Sequence, residues 1–397
     1  MKGWPTRSIE TLVSAAPKKK QPSTDTEVWN LNLDQIASHG GRVLEKVYVS
    51  PEKLGPSTFA FEPRTVLYSK LRPYLNKVVV ADEAGFATTE LVPLRCNPDE
   101  VHPEYLAYFL RSEEFLKFAT EVVAGAKMPR MVMSAFWDFQ VPLPPLPEQR
   151  RIAAILDQAD ALRAKRREAL AQLDSLTQSI FMEMFGDPQE NQHKWPVAPI
   201  GSFISEMRGG AALEPDDFTD SGFPILHKGA IKPQGGIQVD AKKKTFASYE
   251  YAASKPKSIA DRAYVAVTLR DLVPSGPSIG LVADLRYGPY DRYLLAQGAY
   301  AFLLNSEIIT AEYFVQLSNM PTFRYVLRQN AVGSTQIHIR TPIYLAITLP
   351  VPPIRLQNEF AVKVRAIEVL KQRFRTALIE LDFLFYSLQH RAFRGDL

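Results

Sequence analysis

The run Tyr68-Ser69-Lys70-Leu71-Arg72-Pro73-Tyr74-Leu75-Asn76-Lys77 interleaves cations with aromatic rings and an amide. Lysine and arginine neutralise phosphates, and arginine, asparagine and glutamine donate or accept paired hydrogen bonds at base edges. Lys70, Arg72, Tyr74, Asn76 and Lys77 are therefore candidate DNA-binding residues. Lys127-Met128-Pro129-Arg130, just after Gly125, adds Lys127 and Arg130. Farther along, the candidates are Lys228, Lys232, Lys242 and Lys243 (in the cluster ending at Lys244), Arg270, Arg286, and Gln336, His338 and Arg340. Taken singly, each reads more simply as a solvated surface charge. Their grouping in matched segments of a repeated chain is what favours nucleic acid.

Other chemistries find little support. No G-x-x-x-x-G-K-[ST] loop, G-x-S-x-G elbow or H-E-x-x-H helix occurs, and the six histidines (39, 102, 193, 227, 338, 390) are scattered singly. The Gly-Gly pairs at 40–41, 209–210 and 235–236 read as turns rather than a dinucleotide fingerprint. Asp216 followed by Asp240 and Lys242 fits the loose carboxylate–carboxylate–lysine spacing of metal-dependent nucleases. That pattern is short and degenerate in a chain with 43 acidic residues. Cys96 is the single cysteine, which excludes an internal disulfide and a cysteine-built zinc site. Residues 1–10 carry no apolar segment, and no run approaches the ~20 apolar residues that span a bilayer. A reducing, cytoplasmic setting is expected. The formal charge of +4 decides nothing, because a nucleic-acid binder needs local basic clusters rather than a large total.

These candidates must be positioned by a chain that repeats itself. Shifted by 208 residues, 18 of the 82 positions from Glu104 to Phe185 are identical to Glu312–Phe393. Unrelated chains of ordinary composition would share about five. At a shift of 191, Trp4-Pro5 matches Trp195-Pro196. Each half begins with a Gly- and Pro-rich stretch of short apolar alternations. Residues 59–61, 65–68, 77–81 and 91–94 read as strands, as do 263–269, 279–283 and 299–304. Residues 104–120 and 311–327 read as helical, with Pro321 interrupting the second. A proline-rich hinge follows, at 141–147 and 349–353, and then a proline-free stretch of about 38 residues, roughly 57 Å of helix at 1.5 Å per residue.

The first of these stretches is apolar at 152, 155, 159, 162, 169, 173, 176 and 180, with Arg166 in one seam position. These are heptad a and d positions. The second has Phe360, Ile367, Phe374, Leu381 and Leu388 at a, and Leu370, Ala377 and Leu384 at d, with Lys363 the exception. Two similar units in tandem pack about a pseudo-two-fold axis, which makes the helices antiparallel. The expected fold is α+β: two similar α/β heads separated by an antiparallel coiled coil. Gln336 and His338 fall opposite Met128 and Arg130, so the heads place different side chains at equivalent points.

The segment Leu143-Pro-Pro-Leu-Pro-Glu-Gln-Arg-Arg-Ile-Ala-Ala-Ile-Leu156 closely resembles the start of the central helix of type I restriction-modification specificity subunits. Ile180-Phe-Met-Glu-Met-Phe-Gly-Asp-Pro188 with Trp195-Pro196 resembles their junction into a second recognition domain, and Ala392-Phe-Arg-Gly-Asp-Leu397 their C-terminal end. Residues 61–74 are similar to their first-domain strand and loop. The resemblance implies target-recognition domains at 1–147 and 188–355, and conserved helices at 148–187 and 356–397. It implies a non-catalytic subunit that reads a split, asymmetric site on double-stranded DNA. Two methyltransferase subunits, which would bind S-adenosylmethionine, and restriction subunits would join it. The chain would hold no cofactor or metal and no membrane. The outward helix faces, with Gln149, Arg150, Arg151, Arg163, Arg167, Gln357, Lys371 and Arg375, would be free for those partners. The rivals are a two-headed protein scaffold and a DNA-binding part of another restriction-modification enzyme. A single-chain enzyme would need an Asn/Asp-Pro-Pro-Tyr/Phe motif, whereas the Pro-Pro pairs here sit in the hinges.

Overall fold

A computed structural model describes residues 4–14, 26–239, 245–273 and 275–397. Candidates Lys242 and Lys243, and Asp240 of the nuclease-like spacing, lie outside them. The chain divides into two units, Met1–Arg167 with Thr376–Leu397, and Glu168–Arg375.

In the first unit, one antiparallel sheet orders Val13–Ser14, Leu91–Cys96, Val66–Ser69 and Val78–Val80. A second sheet orders Tyr48–Val49, Val28–Leu31, Gly85–Thr88 and Thr58–Phe61, its middle pair parallel. Side chains alternate across a strand, and this explains how one sheet serves two cores. Leu67, Val79 and Leu91 join Trp29, Leu31 and Phe61 of the other sheet. Val66, Tyr68, Val78 and Leu94 turn the other way, onto Tyr105, Phe109, Phe115 and Phe136.

The second unit repeats this topology strand for strand. Ile204–Gly209, Ala299–Leu304, Val265–Thr268 and Val282–Asp284 form one sheet. Phe246–Ala247, Phe223–Leu226, Arg292–Leu295 and Ile259–Asp261 form the other, again with a parallel middle pair. The helical segments are each two helices. Pro103–Leu110 ends at Arg111, and Ser112 then caps Glu113–Glu121 by accepting the Phe115 N–H at 3.3 Å. Pro321 opens Pro321–Gln329 instead of interrupting a helix, since its missing N–H costs nothing in a first turn.

The long helices are Leu146–Phe185 and Ile354–Arg394. In the first unit the start of the former packs on the end of the latter, with Arg163 over the Phe385 ring at 4.2 Å and bonded to Asp382. In the second unit the end of the former meets the start of the latter, with Phe181 and Phe360 rings 5.6 Å apart. The two therefore run antiparallel. Gly186, with φ of 72°, supplies the left-handed residue that ends the first.

Among the heptad a positions Ile152, Ala159, Phe360 and Ile367 are buried and the rest half-buried, but every expected d leucine is displaced. Leu162, Leu176, Leu370 and Leu384 are exposed, and the residue after each, Arg163, Thr177, Lys371 and Phe385, is buried in its place. An apolar pattern cannot register this, because three of the four insiders are polar and satisfied within the seam. Arg163 pairs with Asp160 at 2.8 Å and Asp382 at 2.6 Å. Lys371, its equivalent under the repeat, pairs with Glu368 at 2.5 Å and Asp174 at 2.6 Å. The Thr177 hydroxyl donates to the Leu173 carbonyl at 3.0 Å.

This corrects the expected outward surface. Gln149, Arg163, Gln357 and Lys371 are buried, and Arg167 is half-buried on Asp382 at 3.0 Å. Arg150, Arg151 and Arg375 remain exposed, Arg151 bound to Glu148 at 2.7 Å and Arg375 to Glu368 at 3.5 Å. Gln149 accepts the His102 N–H at 2.8 Å and donates to the carbonyls of Glu100 at 2.9 Å and Pro144 at 2.8 Å. Gln357 does the same with Thr310 at 2.9 Å, Ile308 at 3.0 Å and Pro352 at 2.8 Å. Each amide thus joins its helix to its head. Gln149→Leu would strand these buried backbone groups and should lower the first unit's stability in urea by roughly 3 kcal/mol. An unchanged midpoint would show that the amide carries no weight.

Candidate nucleic-acid interface

In the first unit, two of the loops singled out by sequence meet. Arg72 and Asn76, with φ of 50° and 49°, flank a tight turn over Pro73–Leu75. The Arg72 N–H donates to the Pro129 carbonyl at 2.7 Å, the Met131 N–H to the Lys70 carbonyl at 2.8 Å, and Leu71 bridges to Arg130. Lys70, Arg72 and Arg130 are thereby gathered at one junction, with Tyr74 and Lys127 on the two loops that form it. Arg72, Tyr74 and Lys127 are exposed, and neither cation forms an ion pair among the described residues.

Two candidates hold this junction instead of facing solvent. Asn76 is buried, its amide donating to the Arg111 carbonyl at 3.0 Å. An asparagine suits this position because it tolerates the left-handed backbone. Lys77 donates to the Leu33 carbonyl at 2.5 Å, and burial pulls its ammonium below the usual lysine range. Arg130 is engaged too. Its Nε lies 3.1 Å from one Glu90 oxygen and its Nη2 2.8 Å from the other. This bond holds the Glu90 carboxyl below its ordinary range.

The second unit builds the same junction from different side chains. Arg270 pairs with His338 across a short antiparallel ladder, and the Ile339 N–H donates to the Leu269 carbonyl at 2.9 Å, as Met131 does to Lys70. Gln336 is exposed beside this ladder. Lys228 lies close to Arg270 and Asp271, and its partial burial lowers its pKa despite the Asp271 charge. Asp271 stands next to Arg270 and anchors the following turn. Its carboxylate accepts the Ser278 N–H at 2.7 Å, the Val273 N–H at 3.3 Å and the Ser278 hydroxyl. The Arg324 guanidinium caps the carbonyls of Pro277 and Ile279 on the same turn. These hydrogen bonds outweigh desolvation and leave Asp271 below the usual carboxylate range.

Over residues 2–172 the chain matches the type I restriction modification DNA specificity domain. It is 25% identical over 215 residues to the Type I restriction enzyme EcoDI specificity subunit of Escherichia coli, covering 53% of this chain and 47% of that protein. The chain therefore spans about half the length of that relative. It is 23% identical over 300 residues to the MjaVIII specificity subunit of Methanocaldococcus jannaschii, covering 72% of this chain and 68% of that one. The crystal structure of a type I restriction-modification system S subunit from M. genitalium aligns over 99% of this chain and 96% of its own, at 14% identity and a TM-score of 0.53. This last likeness is one of fold.

The specificity-domain match contains the Arg130 junction but ends before the second one. Of the remaining candidates, Lys232 is exposed with Nζ on the Gly229 carbonyl at 2.8 Å, and Arg340 is exposed at the start of Thr341–Ala346. Arg286 is drawn away from the junction. It pairs with the buried Asp284 at 2.5 Å and with Glu312 at 3.1 Å, and Arg365 of the second long helix meets that same Glu312 at 3.3 Å. Burial pushes the Asp284 carboxyl above its usual range against the pull of Arg286. Asp216 of the nuclease-like spacing lies in the short turn Pro215–Asp217, where the neighbouring Asp217 accepts the Glu214 N–H at 2.8 Å. Among the described residues no group of three or more His, Cys, Asp or Glu could hold a metal, and no helix is long and apolar enough to cross a membrane.

Glu90 and Asp271 were not among the sequence candidates. Glu90 lies forty residues from Arg130, so no local spacing reveals it, whereas Asp271 opens a run of turn-forming residues that could have suggested its anchoring role. A carboxylate with a depressed folded-state pKa stabilises fully above the unfolded value of about 3.9 and ceases to do so as pH falls through the folded value. At pH 7, Asp271→Asn should therefore loosen the turn and speed hydrogen exchange at the Val273 and Ser278 amides. Unchanged exchange would contradict the anchor.

Proposed function

We propose that this chain is the DNA-recognition subunit of a type I restriction-modification assembly. Each unit reads one part of a split site on double-stranded DNA, while partner methyltransferase and restriction subunits supply the chemistry and hold S-adenosylmethionine. The observation that carries this reading is the pair of equivalent junctions with different side chains. Arg130 and Glu90 occupy the places that His338 and Gly298 occupy in the repeat, for the Leu269 N–H donates to the Gly298 carbonyl at 3.0 Å as the Lys70 N–H does to that of Glu90 at 3.0 Å. Two readers of one architecture and different chemistry suit an asymmetric target. The family match over the first unit, and relatives named as specificity subunits, support the same reading.

The surfaces offered to partner subunits lie on the long helices, where several large apolar side chains are uncovered. Ile379 and Phe383 are 70% and 76% exposed on the first unit's part of the second long helix, and Val362 and Val369 are exposed on the second unit's part. Such uncovered apolar groups favour protein contacts. They take the place of the buried Gln149, Arg163, Gln357 and Lys371 in the docking role.

Exchanging residues 1–145 for the corresponding domain of a relative with another target tests the two-reader claim. Footprinting the full-length chain with its methyltransferase partner should show one part of the protected sequence replaced and the other kept. A swap that changes both parts, or a chain that protects no sequence, would overturn it.

A further inference from the structure

We propose that Glu90 and Arg130 together form a guanine reader in the first unit, with Glu90 fixing the arginine fork. This rests on the DNA-recognition reading above and names the base that one of its junctions selects.

A guanidinium carries five N–H groups in a rigid plane. Glu90 occupies one side of it, through Nε and Nη2. Among the described residues no other group takes the end of the fork, so Nη1 and the second Nη2 proton can donate two parallel hydrogen bonds. Guanine presents two adjacent acceptors, O6 and N7, in the major groove, and this is the pairing that an arginine fork matches.

Three further features suit this use. Arg130 is exposed although it is paired, with 44% of its side chain accessible. Both partners sit on backbone that is tied together, since the Lys70 N–H donates to the Glu90 carbonyl at 3.0 Å and the Met131 N–H to the Lys70 carbonyl at 2.8 Å. The fork thus gives up rotamer freedom before any ligand arrives, which favours affinity for a target of matching shape. Finally, the carboxylate neutralises Arg130, so that a lone phosphate is a poor competitor. Arg72 and Lys127 form no ion pair among the described residues and supply the phosphate contacts. The repeat places Gly298 and His338 at the equivalent positions, which removes both carboxylate and fork. The second unit must read its part of the site in another way.

An exposed pair of this kind adds little to stability, so Arg130→Lys and Glu90→Gln should fold as the parent does. The full-length chain with its methyltransferase partner would select from a randomised pool of duplex DNA, in parent and variant forms. The parent should enrich a two-part motif with a fixed guanine in one part. Arg130→Lys keeps the charge and loses the fork, and should reduce that guanine preference on the order of tenfold to a hundredfold while leaving the other part intact. Glu90→Gln should weaken the same preference and raise binding to unrelated DNA. A two-part motif that both variants leave unchanged would overturn the guanine reader. A parent that enriches no motif would overturn the recognition reading itself.

Discussion

Gln149 and Gln357 each place a whole carboxamide out of reach of solvent, where every unpaired polar atom is costly. Each can be satisfied only if a helix start, a hinge carbonyl and the loop before a head helix stand at hydrogen-bonding distance together. That requirement fixes the rotation of the long helix against its head. Once the helix is rotated so, the residue after each expected d leucine turns inward, and the pairing of the helices follows. The fixed head in turn carries the sheet edges and turns that bring the candidate reading loops together.

The rotation leaves Arg163 and Lys371 in the seam, where only paired charges are tolerable. Each meets an acid three residues back on its own helix and another on the opposite helix. Buried ion pairs of this sort add little net stability over well-packed apolar residues, and their best-attested use is to specify register. Arg163 can find Asp382, and Lys371 can find Asp174, at one antiparallel offset. The sequence repeat becomes a repeat of contacts, with the same acid serving once in each copy.

The tandem repeat, the hinges, the long helices and some of the strands were legible because each follows a periodicity or a proline break, whereas Val28–Leu31, Gly85–Thr88, Phe223–Leu226 and Arg292–Leu295, the parallel middle pairs, were not anticipated. The helix seam was half legible. Its a positions are apolar and stand out, whereas Arg163, Thr177 and Lys371 are polar insiders that only their partners explain. Gln149 and Gln357 looked like surface amides for the same reason. At the candidate interface, Arg72 and Lys127 are exposed. Asn76, Lys77 and Arg286 serve the protein's own backbone and acids, because burial of a hydrogen-bonded polar group leaves no mark on composition. Glu90 was invisible, since its partner is distant in sequence and the two are joined by strand pairing.

What distinguishes the two junctions is chemistry laid on a common backbone. One offers a braced arginine with the exposed Arg72 and Lys127 nearby, the other an arginine, a histidine and a glutamine around an anchored turn. The most direct test of the claim that this chain supplies the sequence selection is to map modified bases across the genome of cells that carry the whole system, with and without this chain. Modification is expected at one motif of two defined parts and an undefined spacer, present only with the chain. The same modified bases in its absence, or a single uninterrupted motif, would contradict it.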